Sequence, residues 1–312
     1  MSDKVTEFKV NGQQVVLVRK PLSCLPVSNF GGQKILHPFK TETTEITVTI
    51  KKKDGSSYTK KVPDMHYVDE YSSENAKEAL ENPLDIHVKL DGSCGLIKVN
   101  TDADGKMTWV GYARFDLSFK EGKLSAFGKI YEKEEDLPSG MIPCETDPRA
   151  TSKYENYGKL HWPFMVPFAK SDGKTVDVIQ CIEGLDAEKQ YKWNILAFKN
   201  AVSSGKLNDL THDITVEQMG QQFSLKECDD FSGVGIVPHG SLQLSIPREL
   251  LTFEGLCQVL IEIPNMEGLV IYGTNGTVWK FRREMIQVGS AKLEWPDKSA
   301  AKTDWAFKSA LL

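Results

Sequence analysis

A lysine followed two residues later by Asp-Gly occurs three times in the chain, at Lys52, Lys89 and Lys170. A lysine amine is a weak nucleophile while protonated, and burial beside other cations or a metal frees its lone pair. Lys89 has a setting suited to that chemistry. Val88 and Leu90 flank it, Asp91-Gly92 turns sharply behind it, and strand-like runs on both sides give rigid support. The same signature is also an ordinary hairpin. Lys52 reads that way, because Glu45 to Ile50 and Tyr58 to Val62 resemble two arms around Asp54-Gly55. So does Lys170, where Asp172-Gly173 leads into Thr175 to Ile179. On local pattern Lys89 reads equally as a third hairpin, and only residues downstream separate it from the other two.

Those residues begin with Glu267, Lys280 and Arg282. Two strand-like runs, Glu267 to Tyr272 and Thr277 to Arg282, meet across Asn275-Gly276, a strong hairpin signal. Side chains alternate along a strand, so Lys280 and Arg282 share one face. A carboxylate with two cations suits a metal-bound polyphosphate, the acid holding Mg²⁺ and the cations the phosphate oxygens. Taken alone, the same hairpin reads as a solvated cross-strand ion pair.

The elements that must position these groups are many short strands and few helices. Phe8 to Arg19 is a hairpin across Asn11-Gly12, and Leu96 to Phe115 another across Asp104-Gly105. Helices are expected over Ser73 to Leu80, Ala187 to Val202, Arg248 to Leu260, and near Ser299 to Leu311. The proline-rich stretch from Glu121 to Pro167 reads as structured loop, its aromatics available for packing. The pattern is that of a mainly antiparallel α+β protein. The chain has 312 residues, 40% hydrophobic and 26% charged, and a net charge of −5, so any polyanionic partner needs a local basic patch. The six cysteines are scattered, with no Cys-x-x-Cys pair, which suits a reducing, intracellular compartment and argues against a zinc site. No apolar run reaches 18 residues, so no membrane span is expected.

Lys89-Leu90-Asp91-Gly92, Glu267-Gly268-Leu269-Val270 and Lys280-Phe281-Arg282 resemble, in order, motifs I, IV and V of the covalent nucleotidyltransferases, the superfamily of RNA and DNA ligases and mRNA capping enzymes. Thr215 to Gly220, with Glu217, looks like motif III, and Tyr112 to Asp116, with Arg114, like motif Ia. The 191 residues from Lys89 to Lys280 (280 − 89) are typical of that superfamily, whereas Lys170 leaves too little chain before motif III. His37 to Lys40, Met141 to Pro143, Pro238 to Leu244 and the span Met266 to Val288 narrow the resemblance to the small ATP-dependent 5′-to-3′ RNA ligases of the eukaryotic RNA ligase 1 family. The chain departs from them after Lys280, where Arg282-Arg283-Glu284 replaces several histidines, and after Glu217, where an Asn-Gly-Asn-Pro run is missing.

The resemblance implies a covalent nucleotidyltransferase fold with antiparallel sheets flanking a nucleotide cleft. It divides the chain into a β-rich part over residues 1–85, a catalytic core over 86–288 and a tail over 289–312. It implies ATP and Mg²⁺ (or Mn²⁺), with RNA carrying 5′-phosphate and 3′-hydroxyl ends as substrate and a monomer as the working state. Lys89 would become a lysyl-AMP, Glu267 would hold the metal and Lys280 would neutralise the α-phosphate. Arg114 and Glu217 would grip ribose or phosphates, and His239 stands where an adenine-stacking aromatic is usual. Singly, these three read as a surface cation, a strand carboxylate and a turn histidine. Arg282 and Arg283, with the lysines of the tail, are the expected RNA phosphate contacts. An mRNA guanylyltransferase or a DNA ligase shares the lysine but normally carries an OB-fold, for which the 32 residues after Lys280 (312 − 280) are too few. A non-catalytic RNA-end-binding module is the remaining alternative.

Overall fold

The computed structural model describes residues 6–25, 35–52, 55–120, 123–145, 161–220, 223, 234–263, 266–288, 291–293 and 311–312. One sheet runs in the order β1 (Thr6–Val10), β2 (Gln13–Arg19), β15 (Leu242–Ser245), β5 (Pro83–Lys89), β16 (Gly268–Gly273) and β17 (Val278–Arg282). A second runs β10 (Ile142–Pro143), β11 (His161–Ser171), β7 (Met107–Lys120), β6 (Ser93–Thr101), β13 (Ile214–Gly220) and β14 (Val234–Pro238). β8 (Lys123–Ala126) joins β7, β9 (Lys129–Tyr131) joins β8, and β12 (Val176–Val178) joins β11. β3 (Phe39–Lys51) pairs only with β4 (Ser57–Tyr71) among the described residues, as a long arm, and β18 (Gln287–Val288) pairs with β19 (Ala291–Lys292). The strands pair antiparallel, so the α+β, mostly antiparallel reading holds.

The described residues also form four α-helices, α1 (Glu74–Glu81), α2 (Ala187–Gln190), α3 (Lys192–Ser203) and α4 (Phe253–Glu262), besides short 3-10 turns. Ser73 caps α1 by accepting from the Ala76 N–H at 3.2 Å, and Thr252 caps α4 by accepting from Gly255 at 3.1 Å. Alternation along the strands then builds two cores. Ile86, Leu269, Ile271, Leu244 and Phe281 of the first sheet pack on Leu80 of α1 and Leu256 and Leu260 of α4. Ile97, Ala113, Val166, Phe168 and Val216 of the second pack on Phe198 and Ala201 of α3. The opposite face of each sheet carries the polar groups: His87, Lys89, Lys280 and Arg282 on one, Arg114 and Glu217 on the other. No helix among the described residues is long and apolar enough to cross a membrane.

The three Lys-x-Asp-Gly segments part company here. Lys52 lies at the end of the β3–β4 hairpin, and Lys170 lies in the strand before the β11–β12 turn. β5 and β6 do not pair with each other. β5 pairs with β15 and β16, and β6 with β7 and β13. Leu90-Asp91-Gly92 is therefore the segment by which the chain leaves one sheet for the other. A second such crossing, His239-Gly240-Ser241, returns it from β14 to β15.

The proline-rich stretch differs from the expected loop. His161–Ser171 is a strand, with Pro163 opposite Asp116 and an irregularity in the register between Pro167 and Ala169. Proline is tolerated in a strand where the pairing is irregular, and Trp162, Phe164, Val166 and Phe168 are buried along it. The helix expected near Ser299 to Leu311 lies almost wholly outside the described residues.

Candidate functional site

Lys89 ends β5, and the register sets Gly268 directly between it and Arg282 of β17. Glu267 is tied on both sides by backbone: its N–H donates to the Lys89 carbonyl at 2.9 Å, and its own carbonyl accepts from Arg283 at 2.8 Å. Only a glycine fits at 268, because a Cβ there would lie 2.0 Å from the Phe281 carbonyl oxygen. That narrow passage brings the side chains of three strands together. The Lys89 amine donates to Glu267 Oε2, and Arg282 donates from Nε to Glu267 Oε1 at 3.1 Å, with its Nη2 in an ion pair 2.9 Å from the same oxygen. The same Nη2 reaches Glu284 at 2.6 Å. Glu267 is buried, while Lys89 and Arg282 are about one quarter exposed (26% and 29%), so the cations open toward solvent over a sunken carboxylate.

The second half of the site is built by the two crossings. Glu217 of β13 accepts from the Gly92 N–H through Oε1 at 2.9 Å and is bonded to His239 Nε2 through Oε2 at 2.8 Å. One carboxylate thus fastens the crossing behind Lys89 to the crossing that carries His239. Gly92 has no room for a side chain: a Cβ would meet the Gln218 carbonyl oxygen at 2.5 Å and Glu217 Cγ at 2.8 Å. Beneath the turn, burial and the Glu217 carboxylate push the Cys94 thiol up to about 12, so it stays neutral.

Lys280 lies on the same face of β17 as Arg282 and is half-buried. Its backbone is held firmly, its N–H donating to the Leu36 carbonyl at 2.9 Å and its carbonyl accepting from Tyr67 Oη at 3.3 Å. Arg114 is placed differently. It pairs with Asp116 on its own strand at 2.8 Å, on a half-exposed surface, rather than with the Lys89 cluster. Arg283, expected to meet RNA, is 1% exposed and donates to the Met266, Leu260 and Ile263 carbonyls, the last two at the end of α4. It satisfies the carbonyls that a helix C-terminus leaves open, and so is withdrawn from the surface contacts.

His87 was not among the residues expected at the site. It sits two residues before Lys89 on the same polar face, 4% exposed, with no hydrogen-bond partner at either ring nitrogen among the described residues. Burial lowers its pKa to about 4, against the raising effect of Asp85, so the ring is neutral and carries one donor and one acceptor. It packs against Tyr272, ring centroids 4.9 Å apart, and Gln243 of the neighbouring strand lies opposite it. Strand alternation puts it on the face of Lys89, which is the signal that could have found it.

Among the described residues no three His, Cys, Asp or Glu side chains converge to cage a metal. Glu267 and Glu284, bridged by Arg282, offer one or two carboxylates, which is what Mg²⁺ takes when phosphate oxygens and water complete its shell. The donor set fits a metal carried on a polyphosphate. Neither the protein-family models nor the curated proteins compared with this chain give a match.

Proposed function

We propose that the protein is an ATP-dependent RNA ligase that joins 5′-phosphate to 3′-hydroxyl ends through a lysyl-AMP at Lys89, on a covalent nucleotidyltransferase fold. The observation that carries the reading is the contrast among three like segments. Lys52 and Lys170 flank hairpin turns, whereas Lys89 alone lies at a crossing between sheets with Glu267, Arg282, Glu217 and His239 gathered around it. The order and spacing of the motif-like segments support it from the sequence side.

In this reading the Lys89 amine gives up a proton, for which Glu267 Oε2 is the hydrogen-bonded acceptor on this chain. The freed nitrogen attacks the α-phosphorus of ATP; a P–N bond forms and the bond to the pyrophosphate oxygen breaks. An oxygen of the RNA 5′-phosphate then attacks the same phosphorus, giving an adenylylated end and releasing the amine. Last, the 3′-hydroxyl attacks the RNA phosphorus and AMP leaves. Each step spreads charge over phosphoryl oxygens, which fixed cations stabilise. Arg282 and Lys280, on one face of β17, supply that charge beside Lys89. Mg²⁺ held by Glu267 would add further neutralising charge. His239 offers a stacking face for the nucleotide, and Arg114 would join only by leaving Asp116.

Incubation with α-labelled ATP or GTP separates this reading from its neighbours. Label from ATP, with sealing of a nicked RNA, is the expected result. Label from GTP alone would make the protein a guanylyltransferase, and no label from either would leave a non-catalytic binding module.

A further inference from the structure

The β3–β4 arm is exposed along most of its length. Its register runs unbroken from Thr41 opposite Tyr67 to Lys51 opposite Ser57, eleven residues of paired strand, or about 33 Å over the ten steps between them at ~3.3 Å each. Beyond Asp64 the described side chains are exposed or half-buried on both faces, so no core holds the outer half. A lone two-stranded ribbon is only marginally stable in water, and one of this length is best explained by a purpose outside the core.

The root and the tip point to that purpose. At the root, Tyr67 Oη accepts from the Arg282 N–H at 3.1 Å, donates to the Lys280 carbonyl, and bonds His37 Nδ1 at 2.7 Å. Tyr67 and Phe39 also pack on Phe281, with ring centroids 4.8 and 5.5 Å away. The arm is thus fastened to the strand that carries two of the site's cations. At the tip the charge reverses that of the whole chain. Residues 51–61 hold five lysines against one aspartate, in a protein of net charge −5. Lys52, Lys60 and Lys61 are exposed there; Lys61 is bridged to Glu45, and Lys52 lies 5.5 Å over the ring of Tyr58, itself 44% exposed.

We propose that this arm is a nucleic-acid clamp, its lysine tip and Tyr58 gripping the RNA backbone and a base of a strand whose end lies at Lys89. The proposal rests on the RNA reading given above. Lysines interleaved with an exposed aromatic are the chemistry that binds a nucleic-acid strand without reading its sequence. The arm's length sets its tip about 33 Å from the root beside Lys280 and Arg282. The clamp therefore adds contact to RNA that extends past the end being joined, and short RNA would not feel it.

The test uses the full chain with Lys52, Lys60 and Lys61 all changed to Gln, and Tyr58→Ala as a second variant. Binding of a 5′-phosphorylated RNA hairpin is followed by fluorescence anisotropy across salt concentrations, and self-adenylylation with ATP is measured in parallel. The triple variant is expected to label itself at the normal rate and to bind RNA roughly tenfold or more weakly. Its log–log salt slope should be shallower by about 2, at ~0.7 to 0.9 per lost phosphate contact. Tyr58→Ala is expected to weaken binding several-fold with the slope unchanged. Unchanged affinity and slope in the triple variant overturn the clamp, and leave the exposed Ile46, Tyr58 and Met65 as a protein-docking face instead. The two readings fail separately: missing self-adenylylation in the unaltered protein removes the ligase reading, while the binding measurement still decides the clamp.

Discussion

Replacing Gly92 by alanine would set one methyl group against the middle of β13. The new Cβ would lie 2.5 Å from the Gln218 carbonyl oxygen, 2.8 Å from Glu217 Cγ and 3.0 Å from Met219 Sδ. The first of these is backbone in a paired strand and cannot step aside. Ordinary contact begins at 3.4 Å, so Gly92 must retreat by about 0.9 Å (3.4 − 2.5). That movement breaks the 2.9 Å bond from its N–H to Glu217, a hydrogen bond to a charged group worth about 1.5–3 kcal/mol. It also drags Lys89, three residues upstream. A misplacement of about 1 Å costs on the order of 10²-fold in a reaction that depends on positioning. The assay is single-turnover transfer of AMP from ATP to the protein, with a thermal melt to confirm folding. Gly92→Ala should label about 100-fold more slowly. Gly55→Ala, in the turn after Lys52, is the control: φ there is +83° but nothing lies within 4 Å, so it costs about 1–2 kcal/mol of backbone strain and leaves labelling alone. Near-normal labelling by a folded Gly92→Ala protein would refute the idea that the bond between the two crossings sets the position of Lys89.

Glu267→Ala and Lys280→Ala should each slow self-adenylylation by about 10²-fold or more; near-normal rates in both would reduce the last hairpin to a surface ion pair. Arg283→Ala should lower stability by at least about 3 kcal/mol, since a buried guanidinium and three carbonyls lose each other, with RNA affinity unchanged in whatever remains folded. His87 makes stability depend on pH. Its folded pKa lies below the usual 6.5, so the unfolded chain takes up the proton first; stability is whole above pH 6.5 and falls until about pH 4, by roughly 3 kcal/mol at ~1.4 per unit. Denaturant titrations of His87→Leu over that range should give a flatter profile, and an identical one would assign the acid loss to other groups.

The hairpins were legible where the turn itself carries the information. Asn11-Gly12, with φ of 47° and 78°, adopts the left-handed backbone at both residues, and in Asn275-Gly276 the glycine alone does, at 77°; each turn joins the two strands expected. α1 was legible from Ser73 because a hydroxyl before an amphipathic run has a definite partner in the first turn. Asp91-Gly92 was not. A turn and a crossing between sheets need the same small residues, and what differs is the partner of each strand, which is non-local. The strand at His161–Ser171 was hidden by its two prolines, whose missing N–H groups ordinarily end a strand; here Pro167 stands at an irregularity in the register and Pro163 is paired regularly opposite Asp116. Within the site, Lys89, Glu267 and Arg282 were placed together by order along the chain. Arg283, one residue on, was misjudged because the strand ends at Arg282 and the chain turns there into a short 3-10 helix, which carries Arg283 against the end of α4. His87 needed only strand alternation counted backwards from Lys89.

Intact-protein mass after incubation with ATP and Mg²⁺ tests the central claim most directly. The protein should gain one AMP. Lys89→Ala should gain none, while Lys52→Ala and Lys170→Ala, at the two hairpins, should gain it as the unaltered protein does. Persistent addition in the Lys89→Ala protein, or its loss in either of the other two alone, would contradict the assignment of the nucleophile to the crossing between the sheets.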